Sequence, residues 1–153
     1  MDIILRGLHV ASGELALLFT IWALVEVAWG PGGRGILRAK IASLTGTILL
    51  FIHWLLSGIY YVAYYGPEVK PIIKEGPWRW AHSIVMESKE HIFLFLPFLA
   101  LLLLFMVWKY NDKLRENRGL RLSIFSLGSV MLLLFMLMIL AGFLVSSGYR
   151  IAG

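Results

Sequence analysis

Four apolar stretches dominate the chain, each longer than the roughly 20 residues an α-helix needs to cross a bilayer. They run from about Ile3 to Trp29, Ile36 to Tyr65, Pro77 to Trp108 and Leu120 to Ser147. Backbone placed in hydrocarbon must satisfy its own N–H and C=O groups, which leaves helices or a closed barrel. Barrel strands alternate lipid-facing and lumen-facing residues. The run Leu99-Ala100-Leu101-Leu102-Leu103-Leu104-Phe105 does not alternate. The expected fold is therefore an all-α integral membrane protein, a four-transmembrane-helix up-down bundle, in one domain spanning residues 1–153.

Composition excludes the competing classes. The chain is 59% hydrophobic and 15% charged, whereas a soluble domain is about half apolar and a quarter charged. Disorder is excluded on the same ground. Cys is 0, which removes disulfide scaffolds and thiolate metal sites. The net charge of +5 sits in short runs between apolar stretches. That pattern fits basic loops beside a membrane and no nucleic-acid partner.

Turn chemistry separates the spans. The first stops at Gly30-Pro31-Gly32-Gly33 and the second at Gly66-Pro67. Pro77 suits the first position of the third helix. The first span opens on Asp2 and then Arg6 and carries Glu14 and Glu26, unlike the basic start and unbroken apolar centre of a cleavable signal peptide, so a mature helix is expected.

Four spans put both termini on one side, called side A, together with the Gly66–Arg79 loop. Side B carries Arg34, Arg38, Lys40, Lys109, Lys113, Arg115, Arg118 and Arg121, against Arg6, Lys70, Lys74, Arg79 and Arg150 on side A. The positive-inside rule then places side B in the cytoplasm and both termini outside a cell membrane. Tyr60, Tyr61, Tyr64, Tyr65, Trp78 and Trp80 surround the side A loop. An interfacial aromatic belt is the first reading, and a docking platform for a quinone or a partner the second.

The residues that point to function are ionisable groups inside apolar spans. They are His9, Glu14 and Glu26 in the first, His53 in the second, and Glu87, Lys89, Glu90 and His91 in the third. Charges at membrane depth are costly and usually face a bundle interior or a cavity. Glu14, His53 and His91 each lie about eleven residues from the side A end of their span, roughly 16 Å deep at 1.5 Å per residue. The helical period sets Gly46, Leu49, His53, Ser57, Tyr60 and Tyr64 on one stripe. It gathers Ser83, Glu87, Glu90 and His91 into an arc of about 100°, expected to point inward. On the first span the two criteria disagree. Depth favours Glu14, but His9 shares a small-residue face with Gly13, Ala16 and Thr20, while Glu14 lies on a stripe with Val10, Leu18, Ile21 and Val25. Pro97, beyond His91, is expected to kink the third span.

Three chemistries fit these residues. Two histidines on facing helices suit the axial positions of a b-type haem, with His53 and His91 as the expected pair and His9 with His82 as a second, shallower one. Glu87 and His91, spaced i,i+4, with His53, Glu90 and Glu14 or His9, form a candidate non-haem site for iron, copper, zinc or manganese. A chain of buried Glu and His also suits proton or metal-ion transport, with histidine titrating near neutrality. A structural network in an accessory subunit is the reading without chemistry. No Walker loop, dinucleotide fingerprint, nucleophile elbow or zincin pair is present.

With His9, His53, His82 and His91 set toward the outer side of four spans, the chain resembles small four-helix membrane cytochromes of the b type. It is also similar in layout to the membrane domain of copper-resistance D proteins. That resemblance implies electron transfer through haem b, exchanged with a quinone or a redox partner protein. Completion of the site by another chain in an oligomer is also open.

Overall fold

The computed structural model describes residues 2–29 and 31–153. Gly30, part of the expected first turn, lies outside them. Among the described residues helix accounts for 91% and no strand occurs. Four helical rods are long and apolar enough to cross a membrane: Ile3–Ala28, Gly33–Glu75, Ala81–Lys109 and Arg118–Ala152.

The first rod is α1, Asp2–Ala28. The second begins as α2, Gly33–Tyr60, and does not stop at Gly66-Pro67. It widens into a π-helical stretch, Tyr61–Val69, and resumes as α3, Lys70–Glu75. Proline in a regular helix clashes with the carbonyl four residues back and lacks an N–H. The longer i→i+5 spacing of a π turn carries the chain past that ring. The turn falls instead at Gly76–Arg79, so Pro77 lies before the third rod rather than at its first position. A second π-helical stretch, Ala81–Met86, opens that rod, followed by α4, Glu87–Phe93, and α5, Phe95–Lys109. The break at Leu94 sits beside the carbonyl of Phe93, four residues before Pro97, where the proline ring acts.

The last rod, α6 (Arg118–Ala152), is opened by Asn117, whose side chain accepts a hydrogen bond from the Leu120 N–H at 2.9 Å. This cap satisfies one of the amides that a helix start leaves without a partner.

The rods form a four-cornered cycle. α1 packs on α2 and α6, and α5 packs on the same two helices. Small residues let the backbones approach. A Cβ on Gly46 would meet Phe19 Cβ at 3.3 Å and the Ala16 carbonyl at 3.6 Å. A Cβ on Gly128 would overlap the side chain of Leu24. The Thr47 hydroxyl lies 2.8 Å from the Ser43 carbonyl and 3.2 Å from that of Ala100 across the α2–α5 contact.

The main core includes Ala16, Leu24, Leu50, Leu96, Leu103 and Met131. A second cluster at the side A end joins Tyr65, Val69, Ile73, Ala81 and Val145. Tyr65 is only 2% exposed, so this member of the expected aromatic belt is a core residue. Toward side B, Glu26 is held by Arg38 through contacts of 2.7 and 3.1 Å and accepts from Trp22 Nε1 at 3.1 Å. Glu26 is thereby part of an ion pair at the bundle end.

Candidate functional site

His9 and His53 stack face to face across the α1–α2 contact, with ring centroids 4.4 Å apart and planes 22° apart. Both are half-buried. His53 Nδ1 lies 2.7 Å from the His9 carbonyl oxygen. A carbonyl only accepts, so His53 Nδ1 carries a proton and donates it. Ser57 donates its hydroxyl to the His53 carbonyl at 2.7 Å, leaving its oxygen to accept from His9 Nδ1 at 3.0 Å. Ser12 donates to the His9 carbonyl at 3.0 Å and places its oxygen 3.2 Å from His53 Nδ1. With both Nδ1 atoms donating, the lone pair of each neutral ring sits on Nε2.

The local sequence explains this placement. Gly13, one turn after His9, provides the flat surface on which His53 lies. A Cβ there would come within 2.9 Å of His53 Cε1 and 3.2 Å of both ring nitrogens. The Tyr60 ring stacks on His9 at 5.8 Å, and the edge of Phe93 meets His53 at 5.1 Å. Lys89 reaches inward from α4. Its charge acts on both histidines, and its Nζ lies 3.7 Å from where a Cβ on Gly142 of α6 would sit. The cluster thus draws on all four rods.

A second polar group lies nearer the side A end. His82 is 2% exposed, and its Nδ1 is 2.9 Å from the Tyr65 hydroxyl. Glu90 interacts with Tyr61, and its Oε1 is buried without a hydrogen-bond partner among the described residues.

The structure does not bring His53, Glu87 and His91 together. The expected polar arc on the third rod is split, with three of its members turned outward and Glu90 turned in. Ser83, Glu87 and His91 are exposed on the outside of the bundle, while His82, Val85, Met86, Lys89 and Glu90 line the inner side or its margins. The π-helical stretch ahead of α4 changes the angular phase of everything after it. His91 donates its Nδ1–H to the Glu87 carbonyl of its own helix at 2.6 Å. On α1, facing prevails over depth: His9 turns toward His53, and Glu14 is exposed. His82 is engaged by Tyr65.

These positions bear on what the residues can hold. Axial ligation presents one ring nitrogen from each side to an iron in the haem plane. His9 and His53 instead stack through their faces at 4.4 Å, which leaves no space for iron between them, so this pair does not fit a dihistidine haem. Among the described residues no group of three or more His, Asp or Glu lies close enough to hold a metal ion.

Ser12 and Tyr65 belong to these clusters without having stood out in the sequence. Ser12 carries a signal in retrospect, lying one turn from His9 beside Gly13; Tyr65 was hidden among the other aromatic residues of its loop. Comparison with known proteins finds no matching family model, no matching curated protein and no matching solved structure.

Proposed function

We propose that the chain is a multi-pass protein of the cell membrane, with both termini outside, that takes up and passes protons through its His9–His53 pair. The observation that carries this reading is the placement of the two Nδ1 atoms, His53 Nδ1 against the His9 carbonyl oxygen and His9 Nδ1 against the Ser57 hydroxyl, which leaves each Nε2 to take a proton. Two imidazolium rings 4.4 Å apart beside Lys89 would repel strongly, so the pair holds one added proton at a time. Uptake of a proton by one ring therefore favours its release from the other. Tyr60, stacked on His9, lies toward side A, where the outer solution is reached. Proton transport through this exchange is the function we assign.

Flux and spectra test this function. Liposomes containing the purified protein are expected to collapse an imposed pH gradient, read with an entrapped pH-sensitive dye, faster than empty liposomes. Equal rates would overturn the reading. A Soret band that sharpens on reduction would replace it with haem electron transfer, and stoichiometric iron, copper or zinc in a colourless protein would replace it with a metal site.

Orientation has a separate test. The chain has no cysteine, so single cysteines introduced at Gly33, Lys70 and Arg115 report without background. In intact cells a membrane-impermeant thiol reagent is expected to label position 70 and spare 33 and 115. The opposite pattern would invert the topology.

A further inference from the structure

Two polar groups lie where a single copy would present them to hydrocarbon. On α1, Glu14 is exposed among exposed Val10, Leu18, Ile21 and Val25. On the third rod, Glu87, Ser88 and His91 are exposed between exposed Ile84 and exposed Phe95 and Phe98. Ionisable groups at membrane depth normally turn inward or find a partner. Among the described residues Glu14, Glu87 and His91 form no ion pair. The His91 ring gives its Nδ1–H to its own helix and keeps the Nε2 lone pair on an exposed ring.

Depth and direction relate the two groups. Gly13 lies against the His53 ring and Phe93 meets the same ring, so Glu14 and His91, each within two residues of these contacts, lie at about one level. α1 and the third rod occupy opposite corners of the cycle, since both pack on α2 and α6, so their exposed faces look away from each other. A neighbour related by rotation about the membrane normal keeps every residue at its own depth. The outer face of its α1 would then bring a carboxyl level with this imidazole.

We infer that the occupant of the polar face on the third rod is a second copy of this chain in the same orientation, with its Glu14 set against His91. The inference rests on the membrane reading above and is independent of proton passage. One proton serves the pair. A neutral Glu14 carboxyl donates to His91 Nε2, or a protonated Nε2–H donates to the carboxylate. Either form makes one hydrogen bond and leaves the pair without net charge. The two faces are different surfaces, so the contact is head-to-tail and continues from copy to copy.

Cysteine cross-linking in native membranes tests the contact, because all copies there share one orientation. Co-expressed E14C and H91C chains are expected to form a disulfide-linked dimer on mild oxidation, while neither variant alone does. The double variant E14C/H91C is expected to give a ladder. The unaltered protein in lipid nanodiscs is expected at a multiple of the 17.3 kDa chain mass, with Glu14→Lys reducing it to one chain and Glu14→Gln preserving the assembly. Self-linking of either single variant, linking to a protein of another mass, or a one-chain mass for the unaltered protein would overturn the inference. Alkaline extraction separates the two levels. Release of the protein from membranes would sink the membrane reading itself. Retention with a one-chain mass would sink only the contact between copies.

Discussion

Replacing His53 by phenylalanine is expected to stop proton flux while leaving the fold in place. The ring would still lie on Gly13 and against His9, so the volume between α1 and α2 stays filled. The variant loses the Nδ1–H donor and the Nε2 acceptor together. The His9 carbonyl keeps the Ser12 hydroxyl as a partner, so it is not left bare. Loss of a positioned proton-transferring group costs about 10²-fold or more in rate. His53→Ala should match that loss of flux and also destabilise the bundle by about 2–5 kcal/mol, because a cavity opens opposite Gly13. The comparison is decisive because a purely structural histidine would behave in the opposite way. If His53→Phe conducts like the unaltered protein, the stacked pair is a clasp between helices and the proton reading fails.

The second large effect concerns the meeting of the first and last rods. Gly128→Ala is expected to destabilise the bundle by about 1–3 kcal/mol, the usual range for overpacking. The added methyl would overlap Leu24, whose Cγ lies 2.8 Å from the new atom. Leu24 is nearly fully buried, so its side chain has little room to withdraw. Leu24→Ala alone leaves a void and costs about 2–5 kcal/mol. Together the two changes should cost less than the sum of their separate effects, since each relieves what the other creates. Unfolding in mixed detergent, followed by circular dichroism, gives all three values. Strict additivity would mean that α1 and α6 do not meet at this point.

The four rods were legible because hydrophobicity over long windows outweighs every local signal. The ends were less so. Gly66-Pro67 reads as a stop only if the helix keeps α geometry, and a π-helical stretch removes that premise. The polar arc on the third rod was visible from spacing, but its direction was inferred from polarity alone. Polarity gives direction only when one copy must satisfy itself, and Glu87 and His91 instead face outward. At the first rod the small-residue face identified His9, since Gly13 provides room for a neighbouring ring and Glu14 has none beside it. Pairing of His9 with His53 was not legible, because equal depth pointed to other partners. The depth estimate counts residues from uncertain span ends, and His9 lies only two turns into its helix.

The third rod also has a mechanical property. Its regular hydrogen-bond ladder is interrupted before Glu87 by the π-helical stretch and after Phe93 at Leu94. The seven residues between, α4, contribute no fully buried side chain. A segment whose ladder changes register at one end and breaks at the other, and which only Phe93 ties to the main core, is among the first parts of a structure to open, and its amides should exchange with solvent sooner than those of α5 or α6. Lys89 and Glu90 turn to one side of this short axle, and Glu87 and His91 to the other. Any swivel of the segment moves both sets together. A change felt at the outer face would therefore reach the neighbourhood of the histidine pair.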